Sequence, residues 1–223
     1  MLLHDDFAAR AVAHAVAMPW VPSPTPGVER RMLFRIGGEK ARATSIVRYA
    51  PDSHFPAHGH PGGEEILVLD GVFQDESGDY PAGSYMRNPP GTHHTPASAQ
   101  GCLIFVKLWQ FRKDDDALVA LRTNDTPVAA WPGVAASRKL FDNGHEQVRL
   151  ETWEADQDIE LTNPKGLELL VLDGTFSDAT ETFARHSWLR LPAGMDLRVR
   201  TGAEGARVWR KSGLLLQENL CAF

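Results

Sequence analysis

His58 and His60 stand one residue apart, Pro61–Gly62–Gly63 follows, and then comes Glu64; farther along, His94 closes the pattern Gly83-x5-Pro89-x-Gly91-x2-His94. Alternate side chains of an extended strand share a face, so the His58/His60 pair can aim both imidazoles at one point, where a helix would splay them. The Pro-Gly-Gly stretch allows a tight turn, which brings Glu64 in as a hard oxygen donor near the start of the next strand. His94, preceded by its own turn-forming proline and glycine, can then arrive from a different strand pair. Three neutral imidazoles and one carboxylate form a four-donor site for a single divalent metal, a set that suits Zn, Fe, Mn, Ni or Cu. His93 and Glu65 fall on the opposite faces of their strands and stay outside this set, Glu65 with a structural role.

The elements that must position these donors read as β. From Arg30 onward, short runs of β-branched and aromatic residues alternate with Gly, Pro and Asp, as in Ala43–Tyr49, Ile66–Phe73, Leu103–Phe111, Gln147–Trp153, Leu167–Phe176 and Ala206–Arg210. This predicts an all-β sandwich or barrel. Before it, Leu3, Phe7, Ala11, Val12, Ala15 and Val16 recur at three- and four-residue spacing and predict a short amphipathic helix within residues 1–18, packed on a barrel or serving a partner or homodimer contact. Pro19, Pro22, Pro24 and Pro26 make an extended linker.

The segment E-I-L-V-L-D-G-V-F-Q-D from Glu65 returns as E-L-L-V-L-D-G-T-F-S-D from Glu168. Pro89 and Gly91 match Pro192 and Gly194 at the same offset, and Pro26–Gly27–Val28 and Leu33–Phe34 match Pro132–Gly133–Val134 and Leu140–Phe141. A duplicated unit predicts two tandem barrels, at residues 19–113 and 131–223, with the boundary in the polar stretch between Lys113 and Pro132, where the strand pattern lapses. The same offset puts Leu161, Asn163, Leu167 and Leu197 where His58, His60, Glu64 and His94 stand. The second copy is therefore expected to have exchanged its metal site for apolar core.

Composition narrows the classes of function. Lys+Arg 23 against Asp+Glu 29 gives a net charge of -6 with the basic residues scattered, which argues against nucleic-acid binding. Cys102 and Cys221, the chain's 2 cysteines, can form neither a disulfide framework nor a paired-cysteine zinc site, and a reducing cytoplasm fits them best. Asp5 and Asp6 stand where an export signal carries positive charge, and no run of about 18 apolar residues occurs, so neither export nor a membrane span is expected.

His58-x-His60-x3-Glu64-x6-Gly71 followed by Gly83-x5-Pro89-x-Gly91-x2-His94 resembles the two signature motifs of the cupins, matched at every ligand position. Ser98 stands where cupins often carry Asn, a position that ligates nothing. Beyond those motifs, H-P-G-G-E-E-I-L-V-L-D-G from His60, G-D-Y-P-A-G-S-Y-M-R-N-P-P-G from Gly78 and P-W-V-P-S-P-T-P-G-V from Pro19 resemble the cupin domain of the ChrR family of anti-sigma factors, over about residues 19–112. That family holds a sigma factor inactive through an N-terminal zinc-binding helical domain, and its zinc-bound cupin domain is needed for release in response to singlet oxygen and related oxidants. The resemblance implies a cytoplasmic regulatory or sensor module in transcription control, with a sigma factor or other regulatory protein as partner. It puts zinc first among the metals, with iron, manganese or nickel as alternatives. The family's His-x3-Cys-x2-Cys motif has no counterpart before Pro19, so the sensory half is expected here without the inhibitory half. The competing class is a metal-dependent cupin enzyme, for instance a dioxygenase acting on a small enolisable substrate. Tyr85, Arg87 and Asn88 are the candidate polar groups beside the metal, and Phe73, Phe105 and Trp109 the candidate core.

Overall fold

The structure is a computed structural model that describes residues 1–213 and 219–222. Among these the architecture is all-β: apart from 3-10 turns at Ala15–Ala17 and Thr123–Asp125, every regular element is a strand. The chain divides into two compact units, one built mainly on Met18–Asn124 with Met1–Asp5 and the described C-terminal residues 219–222, the other on residues 125–213 with Asp6–Ala17.

In the first unit, antiparallel pairing runs in the order Leu2–Leu3, Val28–Gly37, Ala41–Tyr49, Cys102–Leu108, Glu64–Asp75, Ser84–Asn88, Val119–Arg122. A separate two-stranded ribbon pairs His58–His60 with Thr92–His94. The second unit repeats the order: Val128–Trp131, Val134–Asp142, Gln147–Trp153, Leu197–Ser212, Leu167–Ser177, Ser187–Leu191, and finally Ala11–His14. Neither sheet closes on itself among the described residues, so the closed barrels anticipated from the sequence are, by hydrogen bonding, two open sheets.

Long central strands such as Glu64–Asp75 are buried on both faces, which explains their near-continuous apolar runs. One face supplies the apolar core: Ile66, Val68, Phe73, Met86, Ile104 and Val106 in the first unit, and Leu167, Leu169, Val171, Phe176, Leu189 and Val208 in the second. The other face carries a buried polar layer that is duplicated with the fold. Glu65 lies in register with Lys107 and accepts from Tyr85 Oη at 2.6 Å, while Glu168 lies in register with Lys211 and accepts from Trp188 Nε1 at 2.7 Å. This is the structural role anticipated for Glu65. Gly71 and Gly174, each at the end of an L-D-G repeat, have φ of 68° and 67°, and a Cβ on either would sit 2.1 Å from a backbone carbonyl oxygen, that of Gly101 or Gly205. Only glycine meets both demands.

Two expectations fail. Residues 1–18 hold no α-helix: Ala11–His14 is an edge strand paired with Ser187–Leu191, with Ala11 and Ala13 buried and Val12 and His14 half-buried on the other face, Val12 against the apolar core. That segment satisfies a period of two as well as a period of three and four, and the open edge of the second sheet decides between them. The polar stretch between Lys113 and Pro132 is not free of strands either, because Val119–Arg122 caps the first sheet against Ser84–Asn88 and Val128–Trp131 edges the second.

Candidate metal centre

His58–Gly59–His60 runs antiparallel to Thr92–His94, with His58 in register with His94 and His60 with Thr92. Period two therefore puts His58, His60 and His94 on one side of the ribbon, and His93 is exposed on the other. After His60 the chain turns through Gly63 at φ 75°, where Gly63 N–H donates to His60 O at 3.2 Å and a Cβ would overlap the Phe111 ring at 2.3 Å. Glu64 then opens the central strand, in register with Asn88, whose Nδ2 donates to Glu64 Oε2 at 3.2 Å. One donor atom from each of His58, His60, Glu64 and His94 falls within 4.8 Å of the others, and no other such group of His, Cys, Asp and Glu occurs among the described residues.

The hydrogen bonds fix which imidazole nitrogens can ligate. His58 Nδ1 lies 2.9 Å from Pro56 O, which can only accept, so Nδ1 carries the proton and Nε2 the lone pair. His60 Nδ1 lies 3.1 Å from Thr92 Oγ1, which spends its own proton on Pro89 O at 2.8 Å. His60 Nδ1 must then donate, and Nε2 keeps its lone pair. His94 makes no hydrogen bond at either ring nitrogen: Nδ1 lies 3.4 Å from Asp75 Oδ2, whose charge favours a proton on that side, and Nε2 faces Glu64. His60 Nε2 and His94 Nε2 are both buried without a hydrogen-bond partner, and each lies 3.4 Å from Glu64 Oε2. Orphaned buried nitrogens beside a carboxylate are costly in a bare protein, and a divalent cation satisfies all of them at once. The residues present fit a metal of the N3O type.

Electrostatics keep the donors ready. Burial, reinforced by the neighbouring His94 and His58, drives His60 down to about 3, and burial with His58 also lowers His94 against the pull of Asp75. Both rings are neutral at neutral pH. Burial raises Glu64 to about 7; the Asn88 hydrogen bond opposes this and Asp75 adds to it.

The cluster opens on a cavity of about 420 Å³ lined by His58, His60 and Glu64 together with Phe55, Phe73, Ile104, Val106 and Trp109. Of the polar candidates named from sequence, Asn88 alone reaches the site. Tyr85 and Arg87 have the opposite parity on the strand Ser84–Asn88 and belong to the buried polar layer, Arg87 pairing with Asp115 Oδ2 at 2.5 Å. Of the candidate core, Phe73 and Trp109 turn to the cavity and Phe105 is buried away from it. Sequence reading missed Asp75, Thr92, Arg30 and Arg35. Asp75 and Thr92 carry no motif signal: pairing within the ribbon sets Thr92 beside His60, and packing of the ribbon near the end of the strand Glu64–Asp75 sets Asp75 beside His94.

In the second unit the counterparts take the same places with other chemistry. Leu161 lies in register with Leu197, as His58 does with His94, and Leu167 and Leu197 are each 2 % exposed in the apolar core. Asn163 uses its side chain to hold a turn, donating to Pro192 O at 2.8 Å and Met195 O at 2.9 Å and accepting from Gly166 N–H at 2.8 Å.

The all-β fold, its duplicated frame and an N3O cluster at the spacing of the two signature motifs make this chain similar to the cupins. A family model described as the ChrR cupin-like domain matches residues 8–112, just under half of the chain, so that segment resembles that domain. Comparison with curated protein sequences gives no match. Among solved structures, a candidate dioxygenase from Nostoc punctiforme is similar with a TM-score of 0.74 at 14% identity, over 97% of this chain and 87% of that one. The bacterial pirin of Escherichia coli in complex with nickel(II) gives 0.69 at 11%, over 92% and 99%. Oxalate decarboxylase of Bacillus subtilis, a protein with Mn(II) centres, gives 0.65 at 10%, over 91% and 76%. At these identities the likeness is one of fold. No helix among the described residues is long and apolar enough to cross a membrane.

Proposed function

We propose that the chain is a metal-binding cupin of ChrR-like regulatory type: a cytoplasmic sensor module that holds one divalent ion through His58, His60, Glu64 and His94 and signals an oxidant or a small ligand to a separate protein. The observation that carries the reading is the pair of buried, partnerless nitrogens, His60 Nε2 and His94 Nε2, converging with Glu64 and His58 within 4.8 Å. Zinc is proposed first, by resemblance to the ChrR domain, with iron, manganese and nickel as alternatives. A bound divalent ion supplies Lewis acidity to whatever enters the cavity. The protein's own part is to keep the His60 and His94 imidazoles neutral, to orient the rings of His58 and His60 through Pro56 O and Thr92 with Asp75 beside His94, and to wall the site with apolar groups.

Since Cys102 and Cys221 cannot supply a thiolate cluster for a second zinc, regulation would run through a partner such as a sigma factor and not through an inhibitory zinc domain within this sequence. Elemental analysis of untagged protein, followed by transcription assays with a sigma factor, tests this. A chain purified without stoichiometric metal, or one that inhibits the sigma factor strongly and loses that inhibition on chelation, contradicts the reading. The second reading, a metal-dependent enzyme such as a small-molecule dioxygenase, is favoured by the cavity of about 420 Å³ at the site. Oxygen uptake with a panel of β-diketones distinguishes it.

A further inference from the structure

The cavity beside the candidate metal centre carries two arginines that the site chemistry above leaves unused. Arg30 and Arg35, both on the strand Val28–Gly37, line it. Arg35 is 5 % exposed, and its guanidinium donates to a neutral acceptor, Gly38 O. Arg30 has a buried Nε with no hydrogen-bond partner; the acid paired with it, Glu39, lies at 3.7 Å, too far for a hydrogen bond, and its side chain is 74 % exposed, so solvent screens the pair. The two guanidiniums lie near enough for Arg30 to add to the effect of burial in lowering the pKa of Arg35, against the opposing charge of Glu39. A protein of net charge -6 has thus placed two under-neutralised cations inside a cavity. The remaining wall, with Val28, Val47, Phe73, Ile104 and Val106, is apolar.

The second unit is an internal control. Counting from the matched Val28/Val134 and Phe34/Phe141, Arg30 falls at Ala136 and Arg35 at Asp142. The copy without the metal donors also lacks both arginines, as expected if the two groups serve one ligand.

We propose that this cavity takes a small organic carboxylate, its acid group held between Arg30 and Arg35 and its carbon body along the apolar wall toward His58, His60 and Glu64. The planar guanidinium fork matches a carboxylate, and the apolar wall favours an organic acid over an inorganic anion. This rests on the metal-site reading in that it names the ligand class of the same site.

Calorimetric titration of the zinc-loaded full chain with benzoate and hexanoate, with benzamide, hexanamide and inorganic phosphate as controls, tests it. The acids bind at least about tenfold more tightly than the amides, because a charge-assisted pair is worth more than about one decade of affinity, and phosphate, which gains nothing from the apolar wall, binds more weakly than the acids. R30M and R35M each weaken the acids by at least about tenfold while the metal content per chain stays that of the parent. Added salt weakens the acids in the unmodified chain, a readout that needs no variant to fold. Equal binding of amide and acid, unchanged acid affinity in both folded variants, or no acid binding to the folded, metal-loaded chain overturns the proposal. Arginine-dependent acid binding to a chain that takes up no metal supports the carboxylate site and overturns the metal reading instead.

Discussion

Where His94 faces His58 across the ribbon of the first unit, Leu197 faces Leu161 in the second. Where His60 leaves a buried nitrogen without a partner, Asn163 satisfies both ends of its amide on backbone groups. Where Tyr49 and Phe73 border a cavity, the matching Trp153 and Phe176 fill a core with leucines and valines. Yet the frame is unchanged: the same strand order, the same glycine at the end of L-D-G, the same glutamate on the outer face bonded to an aromatic side chain. The frame and the site are thus separable. One unit keeps buried polar groups whose satisfaction must come from a ligand, and the other has relaxed into apolar packing, the trade expected when stability is no longer spent on a site.

The largest expected effect falls on the first unit. H58A combined with H94A abolishes tight metal binding, measured by elemental analysis, and leaves the second unit's unfolding transition in place. A chain that still holds stoichiometric metal would show that the asymmetry has been drawn in the wrong half.

Next in size is the core of the second unit. L167A should cost about 2–5 kcal/mol in chemical denaturation, the range for truncating a buried leucine. Writing the first site into the second, with L161H, N163H, L167E and L197H together, should cost more than L167A, since a buried carboxylate and imidazoles replace apolar contacts. A neutral result would mean that the leucines do not form a core.

A smaller effect separates the cost of the first site from its use. Glu64 is raised to about 7, so the folded metal-free chain holds its proton to higher pH than the unfolded chain does. As pH rises from the ordinary carboxylate range through 7, that carboxyl withdraws stability. E64Q should therefore stabilise the metal-free protein above pH 7 by about 1–3 kcal/mol, an advantage that fades below the ordinary carboxylate range. In the unmodified chain metal affinity should rise with pH across the same window, because binding displaces the Glu64 proton. Denaturation and metal titration at several pH values check both signs.

The smallest effect concerns the added edge strand of the second unit. Burial would raise Asp178, but hydrogen bonds from Thr180, Glu181 N–H and Arg10 outweigh it and hold the carboxyl at about 2. Its contribution is present above the ordinary aspartate range and is lost as pH falls through 2. D178N should cost about 1 kcal/mol at neutral pH, with the difference from the parent vanishing toward pH 2. The first unit's metal content should not change.

Spacing and repeat alone carried the donors and the duplicated frame. His58, His60, Glu64 and His94 are legible because a period of two and glycine-proline turns constrain where side chains point, and the copied E-x-L-V-L-D-G segment exposes what the second unit lost. Tertiary structure decided the rest. The segment Ala11–His14 is a strand because an open sheet edge claims it, a choice no local pattern dictates. Thr92 meets His60 through cross-strand register and Asp75 comes beside His94 through packing, and Arg30 and Arg35 become one cationic wall only when the strand Val28–Gly37 is set against the cavity. Local periodicity fixes which face a residue takes; which residues share that face across strands depends on pairings between segments far apart in sequence, and only the folded sheet supplies them.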